Sequence, residues 1–328
     1  MAHIFISTAP FAKKNKLPVE LLDAAGHIFK VNPLGRRLTE SELIDFIGEA
    51  EVIIAGTERI SARVMDAAPN LKLISRVGIG LDNVDLQAAR HRSIKVSYTP
   101  DAPAPAVAEL TIGLMLSLLR HIHLANADIH NGTWNRYFGR RISEITIGII
   151  GAGRIGGRVI RRLAAFGSPR ILASDLKPRD VTDKLKIEWT DKNTIFREAD
   201  VISLHLPLTQ ITRNLIRYNE LKIMKNDSLL INTSRGGIVN ELDLCKAISE
   251  GQIGGAAIDV FEDEPYSGDL ARHSNCLLTA HMGSMSEDCR IRMEIEATEE
   301  VVRFLDKAPL ANEVPDQEYL LQAGMQQK

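Results

Sequence analysis

The sequence has 328 residues, 45% of them hydrophobic, which is enough chain to bury two sizeable cores. Its 40 Lys and Arg residues are interspersed with 42 Asp and Glu, so the net charge is −2 and nucleic acid is not expected as a partner. The three cysteines form neither a CxxC pair nor a disulfide framework, and residues 1–6 show no secretory pattern, which together predict a cytoplasmic protein. No apolar stretch approaches the length of a membrane span, so no membrane partner is expected.

Short β-branched runs alternate with helical patterns through the first hundred residues, which is typical of a parallel sheet covered by helices. This part of the sequence therefore predicts a small α/β unit. The predicted strands lie at residues 4–7, 52–55, 71–75 and 94–97, and the predicted helices at residues 18–25, 39–47, 61–67 and 84–91.

A proline-rich segment at residues 99–105 separates this unit from the next one. It contains three prolines, which neither a helix interior nor a central strand tolerates, so we expect the chain to cross into a second domain there. Residues 107–122 are apolar on nearly every side and predict a buried helix. Six further strands are predicted, at residues 145–150, 170–174, 201–206, 228–233, 255–260 and 276–280.

A glycine-rich loop, G-A-G-R-I-G at residues 151–156, directly follows a predicted strand and opens a helical pattern. Gly151, Gly153 and Gly156 would let the backbone turn sharply and approach a pyrophosphate at the amino end of that helix. The alternative is that these glycines serve only a tight turn. Asp175, at the end of the next predicted strand, supports the first interpretation, because a carboxylate there would bind ribose hydroxyls and repel a 2′-phosphate.

The loop and Asp175 therefore predict NAD as the cofactor, while Lys177 and Arg179 close by leave room for some use of NADP. Six strands are also the number that a complete dinucleotide-binding sheet needs. Residues 287–305 predict a helix that packs back on the first domain, because too little chain follows to build a third one. The polar residues 317–328 predict a frayed tail.

The predicted fold class is α/β, with two Rossmann-like doubly wound parallel-sheet domains. The substrate domain is discontinuous in sequence, since it comprises residues 1–100 and 286–328, and residues 101–285 form the NAD-binding domain.

Three polar residues fall just past the ends of predicted strands, where open α/β sheets bind their ligands. His281 is the candidate general acid and base, because an imidazole can exchange a proton with the alkoxide formed when hydride reaches a carbonyl. Glu264 would orient that ring, and Arg235 would bind a substrate carboxylate. Singly, each residue has a structural alternative, but together they predict reversible reduction of a small 2-keto acid. No metal is expected, since the sequence contains no HExxH or paired CxxC motif.

Besides the glycine loop, the sequence contains R-V-G-I-G-L-D-N-V-D at residues 76–85, V-A-E at 107–109, N-T-S-R-G-G-I-V at 232–239, A-I-D-V-F-E-D-E-P at 257–265 and H-M-G-S at 281–284. With these motifs the sequence resembles the D-isomer-specific 2-hydroxyacid dehydrogenases from about residue 53 to residue 308. The resemblance implies that Arg235, Glu264 and His281 are the catalytic set.

The resemblance also implies ligand contacts and an assembly. Backbone amides at Val77 and Gly78 would hold the substrate carboxylate, and a cleft between the domains would close on the substrate. Such enzymes dimerise through the nucleotide-binding domain, so a homodimer is expected. Cofactor contacts are implied for Ile79, Arg154, Ile155, Asp175, Leu206, Thr233, Ser234, Asp259 and Gly283.

Within this family the chain is most similar to D-3-phosphoglycerate dehydrogenases. Arg76 lies where those enzymes have a cationic substrate contact, and Arg136 resembles an arm residue that reaches a neighbouring subunit's site. Both favour a phosphorylated hydroxy acid as substrate. One departure counts against it, because residues 55–57 are Ala-Gly-Thr where many of these enzymes carry a phosphate-binding arginine.

Three alternatives follow from the same resemblance. A glyoxylate or hydroxypyruvate reductase would share the chemistry and differ in substrate. An NADH-sensing interaction protein, similar to the C-terminal-binding corepressors, would share the fold without turnover. A formate dehydrogenase is disfavoured, because that branch lacks a glutamate at the position of Glu264.

Overall fold

The computed structural model of the chain describes residues 1–178, 181–182 and 184–324. Arg179, weighed above for NADP, and the last four residues of the predicted tail lie outside the described residues. The chain divides into two compact units. The first comprises residues 1–103 together with the described chain from Met285 onward, and the second comprises residues 104–284.

The first unit is built on a parallel five-stranded sheet whose order is β2-β1-β3-β4-β5. Its central strand is entirely apolar and buried, as expected for a parallel sheet covered on both faces. The elements are β1 (His3–Ile6), α1 (Leu17–Ala24), β2 (Ile28–Val31), α2 (Glu40–Ile47), β3 (Val52–Ala55), α3 (Ala62–Asp66), β4 (Leu73–Arg76), α4 (Leu86–His91) and β5 (Lys95–Ser97).

The second unit is built on a parallel seven-stranded sheet whose order is β12-β11-β10-β9-β6-β7-β8. The order reverses beside β6, which is the switch point of a doubly wound fold. The strands are β6 (Thr146–Ile150), β7 (Arg170–Ser174), β8 (Ile187–Trp189), β9 (Val201–Leu204), β10 (Leu229–Asn232), β11 (Gly255–Ile258) and β12 (Cys276–Leu278). The helices are α5 (Ala104–Leu119), α6 (Ile122–His130), α7 (Arg154–Leu163), α8 (Lys192–Glu198), α9 (Tyr218–Lys222) and α10 (Glu241–Ser249), with single 3₁₀ turns at Ile142–Glu144, Ala164–Phe166 and Asp269–Arg272.

The α/β class with two parallel sheets is confirmed, but the edges of both sheets differ from the prediction. The sequence did not predict β2 or β8, and both are edge strands. The prediction that the proline-rich segment contains no helix holds only for its first part, because α5 already begins at Ala104. Pro105 lies in the first turn of that helix, where a proline removes no intrahelical hydrogen bond.

The helix predicted at residues 107–122 is interrupted. It ends at Leu119, and His121, with a positive φ of 52°, separates it from α6. No single helix among the described residues is long and apolar enough to cross a membrane. The pair α5 and α6 together reach such a length but are bent by 65°, and most of the apolar side chains of α5 are buried.

Two helices at the end of the chain complete the first unit. They are α11 (Glu287–Leu305) and α12 (Asp316–Gln322). The frayed tail was therefore a wrong prediction for the stretch that forms α12. Tyr319 of this helix is buried, and Gln322 donates a hydrogen bond to the carbonyl of Val84 at 2.8 Å.

Candidate active site

The three strand-end residues predicted for catalysis follow three adjacent strands. Arg235 follows β10, Glu264 follows β11 and His281 follows β12. All three strands are parallel, so their carboxyl ends lie along one edge of the second unit's sheet. This is the edge at which doubly wound folds bind ligands.

Glu264 and His281 are in direct contact. The Nδ1 atom of the imidazole lies 2.9 Å from Oε2 and 3.0 Å from Oε1 of the carboxylate. The backbone amide of Phe261 donates to the same carboxylate at 3.2 Å, which fixes its orientation. A carboxylate on Nδ1 sets the tautomer of the ring and leaves Nε2 as its other exchangeable nitrogen.

The turn that carries His281 is fixed by hydrogen bonds to Asp259. His281 has a positive φ of 48°, a conformation that costs a non-glycine residue energy and needs support from its surroundings. The buried carboxylate of Asp259 accepts hydrogen bonds from the amides of Met282 and Gly283, both at 2.9 Å, and from the hydroxyl of Thr279 at 2.6 Å. Its carbonyl accepts the amide of His281 at 2.7 Å. Sequence reasoning missed this supporting role, because the motif marked Asp259 only as a cofactor contact.

The turn that carries Arg235 packs directly against the loop that carries Glu264. The side chain of Asn232 closes this turn, since it donates to the carbonyl of Arg235 at 2.9 Å and accepts from the amide of Ser234 at 3.0 Å. At Gly236 an added Cβ would lie 1.9 Å from the carbonyl oxygen of Phe261, so only glycine allows this approach. The guanidinium of Arg235 donates to the carbonyl of Ser234 at 2.6 Å.

Helix α10 supports the same loop from its first residue. The carboxylate of Glu241 accepts the backbone amide of Glu262 at 2.7 Å. Burial raises the pKa of Glu241, and the neighbouring carboxylates of Glu262 and Asp263 raise it further. Arg213 balances part of this negative charge through an ion pair with Glu262 at 2.7 Å.

The glycine loop has the geometry that close approach of a pyrophosphate requires. Gly151 has a positive φ of 93°, and an added Cβ at Gly156 would lie 1.9 Å from the carbonyl oxygen of Gly151. At Gly153, which precedes α7, an added Cβ would meet nothing within 4 Å. The loop is therefore closed on its inner side and open at the amino end of the helix, where an anion is stabilised by backbone N–H groups and the helix dipole.

Asp175 lies at the carboxyl end of β7 and is joined to the glycine loop. Its carboxylate accepts the amide of Ala152 at 2.7 Å and the amide of Lys177 at 3.1 Å. A carboxylate fixed here fits the ribose hydroxyls of NAD and opposes the additional phosphate of NADP. Arg154 and Ile155 form the start of α7, and Arg154 is exposed.

His205 lies beneath the glycine loop. An added Cβ at Gly151 would lie 2.3 Å from its carbonyl oxygen, and its Nε2 is 2.9 Å from the hydroxyl of Ser203. Its Nδ1 is buried and has no hydrogen-bond partner among the described residues. Burial lowers the pKa of His205 to about 3, so the ring is neutral under the loop.

The remaining cofactor candidates of the second unit line the same sheet edge. The hydroxyl of Thr233 is 2.9 Å from that of Thr111 in α5, and the hydroxyl of Ser234 donates to the carbonyl of Leu204. Leu206, just past β9, is half-buried.

The substrate contacts predicted in the first unit have partners of their own. The amide of Val77 donates to the carbonyl of Ala55 at 2.8 Å, and the amide of Gly78 donates to the hydroxyl of Thr99 at 2.8 Å. Ile79 follows in the same segment and is half-buried. A substrate carboxylate would have to replace Thr99 to reach the amide of Gly78, so these contacts stay predictions.

The two arginines predicted to recognise a phosphate lie in different settings. The guanidinium of Arg76 is buried and donates to the carbonyl of Ala55 at 3.0 Å and to that of Gly80 at 2.9 Å. Arg136 belongs to the second unit and is exposed. The hydrogen bonds of Arg76 to main-chain carbonyls lend the phosphate prediction no support.

Comparisons with known proteins agree with this geometry. Residues 112–283 match the family described as D-isomer specific 2-hydroxyacid dehydrogenase, NAD binding domain. The chain is 38% identical over 275 residues to a hydroxypyruvate reductase of Thermotoga maritima, and this alignment covers 82% of this chain and 89% of that protein. It is 41% identical over 259 residues to a glyoxylate reductase of Thermofilum pendens, covering 76% of each. A D-3-phosphoglycerate dehydrogenase of Methanocaldococcus jannaschii is 36% identical over 88% of this chain, but the match spans only 55% of that protein.

Solved structures resemble the whole chain. The TT0316 protein from Thermus thermophilus has a TM-score of 0.87 at 33% identity and covers 95% of this chain and 100% of its own. A D-lactate dehydrogenase from Aquifex aeolicus, complexed with NAD and lactic acid, has a TM-score of 0.82 at 26% identity, with 95% of this chain and 98% of its own covered. The resemblance inferred from the motifs is confirmed. The chain belongs to the D-isomer specific 2-hydroxyacid dehydrogenase family and is an NAD-dependent oxidoreductase that acts on CH–OH donors.

Proposed function

We propose that this enzyme reduces a small, unphosphorylated 2-keto acid, such as glyoxylate or hydroxypyruvate, with NADH. The observation that carries the proposal is the contact of His281 with Glu264, on a loop that the Arg235 turn packs against. NAD supplies or accepts a hydride when it is bound.

The protein side chains have three roles in this reaction. The Nε2 atom of His281 gives a proton to the oxygen of the reduced carbonyl and takes it back in the oxidative direction. Glu264 holds the ring through Nδ1 and so fixes its tautomer and orientation. Arg235 binds the substrate carboxylate with its planar guanidinium.

The glycine loop and Asp175 are the residues proposed to hold the cofactor. The open space at Gly153 accommodates the pyrophosphate at the amino end of α7, and Asp175 receives the adenosine ribose. The neutral ring of His205 supports the loop from below without placing a charge there.

The substrate preference departs from the sequence prediction of a phosphorylated acid. Arg76 donates to main-chain carbonyls, and β3 ends in Ala55 and Gly56. Next to them the buried carboxylate of Glu58 accepts the amide of Gly56 at 2.8 Å and the hydroxyl of Ser7. These mutual hydrogen bonds occupy the end of β3, where many D-3-phosphoglycerate dehydrogenases carry a phosphate-binding arginine.

A substrate panel tests the proposal. NADH oxidation is measured with glyoxylate, hydroxypyruvate and 3-phosphohydroxypyruvate. We expect a kcat/KM at least about tenfold higher for the unphosphorylated acids, which corresponds to a difference of about 1.4 kcal/mol in transition-state binding. A preference for the phosphorylated acid would restore D-3-phosphoglycerate as the assignment and overturn ours. Tight NADH binding without turnover of any acid would instead indicate an NADH-sensing protein.

We also propose that two chains associate through the nucleotide-binding unit, as the resemblance implies. The support is a set of exposed apolar side chains on α6 and in residues 131–141, namely Ile122, Ile129, Trp134, Tyr137 and Phe138. Exposed large apolar side chains that recur in one region often mark a protein interface.

A further inference from the structure

A cysteine and a histidine form a pair outside the residues assigned to the reaction. Cys245 lies in α10, and its sulfur is 3.3 Å from Nε2 of His273, which follows the Asp269–Arg272 turn. The hydroxyl of Ser249 is 3.5 Å from the same nitrogen and donates to the carbonyl of Cys245 at 2.8 Å. Cys245 and His273 are both half-buried, so the pair can be reached from solvent.

The other two cysteines are in settings that suppress thiol chemistry. Cys276 and Cys289 are buried, and burial raises the pKa of Cys276 to about 12 and that of Cys289 to about 11. Because the thiolate is the nucleophile, these two residues are unreactive near neutral pH. Cys245 differs from them in being partly accessible and in having an imidazole nitrogen within reach of its proton.

We propose that Cys245 is a covalent modification site for small-molecule disulfides, with His273 as the base that activates it. The thiol passes its proton to Nε2 of His273, and the sulfur attacks one sulfur of the disulfide R–S–S–R. A new S–S bond joins Cys245 to one R–S group while the original S–S bond breaks. The departing thiolate takes the proton from His273, so Cys245 is oxidised and one half of the disulfide leaves as the reduced thiol R–SH.

The modified side chain would lie close to the loop that carries Glu264. Tyr266 stacks on Phe261 with ring centroids 4.0 Å apart. Burial raises the pKa of the Tyr266 hydroxyl, and Cys245 is among the groups close enough to raise it further. Phe261 in turn donates its amide to Glu264 at 3.2 Å. An adduct on Cys245 would therefore push on Tyr266 and disturb the carboxylate that holds His281. This effect on turnover rests on the proposed function, whereas the modification itself does not.

Incubation of the folded protein with oxidised glutathione, followed by peptide mass mapping, tests the site. We expect one adduct, on Cys245, which is removed by dithiothreitol and absent from Cys245→Ser. His273→Gln should react about tenfold more slowly, because its side chain cannot take the proton. Cys289→Ser is the matched control and should react as the wild type does. An adduct on Cys276 or Cys289 instead, or an unchanged rate in His273→Gln, overturns the proposal.

Turnover of the fully modified protein tests the link to the active site. We expect a kcat at least about threefold lower, restored by dithiothreitol, with untreated enzyme and treated Cys245→Ser unchanged. An unchanged kcat in the modified protein would refute this link. Failure of the proposed function would look different, because the untreated enzyme would then show no activity toward any of the acids.

Discussion

One ring nitrogen of His281, Nδ1, contacts Glu264, and the other, Nε2, is proposed to exchange a proton with the substrate. Replacing His281 with alanine removes the proposed proton donor but leaves the glycine loop intact. We expect His281→Ala to lower kcat by about 100- to 10,000-fold, the range that general acid–base catalysis supplies, and to leave the affinity for NADH within about twofold. Steady-state kinetics and a fluorescence titration with NADH measure the two quantities.

The matched control for this prediction is Glu264→Gln, which keeps the shape of the partner and removes its charge. It should lower kcat by less than the loss of the imidazole does, because the ring is still present but is no longer held by a charged carboxylate. A kcat for His281→Ala close to that of the wild type would show that another group transfers the proton.

The imidazole of His205, which lies against the glycine loop, makes the free energy of unfolding depend on pH. Burial lowers its pKa in the folded protein to about 3, while the unfolded chain has the usual value of 6.5. Below pH 6.5 the unfolded chain takes up a proton that the folded protein refuses, so this residue's contribution to stability is complete above pH 6.5 and is lost as the pH falls toward 3. The slope is up to about 1.4 kcal/mol per pH unit.

Urea unfolding at pH 7 and pH 5 checks this effect when the wild type is compared with His205→Gln, which can keep the hydrogen bond to Ser203. The wild type should lose about 2 kcal/mol more than the variant between these two pH values. Equal losses in the two proteins would mean that His205 is protonated in the folded state as readily as in the unfolded chain.

At the scale of elements, two glycines of the glycine loop should differ in what they contribute, one to folding and the other to cofactor binding. A Cβ at Gly156 would collide with the carbonyl of Gly151, whereas one at Gly153 would meet only open space. We therefore expect Gly156→Ala to destabilise the protein without cofactor by about 2 kcal/mol or more, and Gly153→Ala by no more than about 1 kcal/mol. Thermal unfolding in the absence of NADH compares the two.

NADH binding distinguishes the same two variants in the opposite way. At Gly153 the added methyl group would occupy the space proposed for the pyrophosphate, so Gly153→Ala should weaken NADH binding at least about tenfold although it folds normally. Unimpaired binding in this variant would place the pyrophosphate elsewhere.

How far the sequence predicted the strands depended on how many of their side chains are buried, since the edge strands β5 and β12 contain buried residues and were predicted. Central strands such as β3 and β9 are buried on both faces, so they appear as continuous apolar runs and were predicted. The strands β2 and β8 pair on one side only and have half-buried or exposed side chains, so no apolar run marks them. Tertiary pairing, which a single sequence does not display, makes them strands.

The positions of the candidate catalytic residues could be predicted from the strands, but the contacts that support these residues could not. Arg235, Glu264 and His281 each follow a strongly patterned strand, so their common sheet edge followed from the rule for ligand sites in open sheets. The supporting contacts did not follow from it. The clamp by Asp259 and the close approach at Gly236 depend on the path of loops between strands, and loop geometry has no periodic signal in the sequence.

At the scale of the whole molecule, residues 131–141 are joined to α6 by hydrogen bonds although their aromatic side chains are exposed. Asp128 accepts hydrogen bonds from the side chains of Asn135 at 2.9 Å and Tyr137 at 2.6 Å, which fixes this segment on α6. Trp134 is nevertheless 82% exposed and Phe138 fully exposed. A segment that is fixed in place while presenting aromatic rings has the form of a preorganised interface, because little conformational entropy remains to be lost on association.

If a second copy of the chain covers this surface, the protein should sediment as a dimer. Substituting charged residues into this surface should then dissociate the dimer. Trp134→Asp combined with Phe138→Asp should shift the protein to a monomer at micromolar concentration, since burying two carboxylates without partners is strongly unfavourable. Ile211→Asp is the matched control, because Ile211 is 61% exposed elsewhere on the same unit and its replacement should leave the dimer intact. Sedimentation velocity compares the three proteins. A monomeric wild type, or a dimer that survives the double substitution, would rule out this surface as the interface.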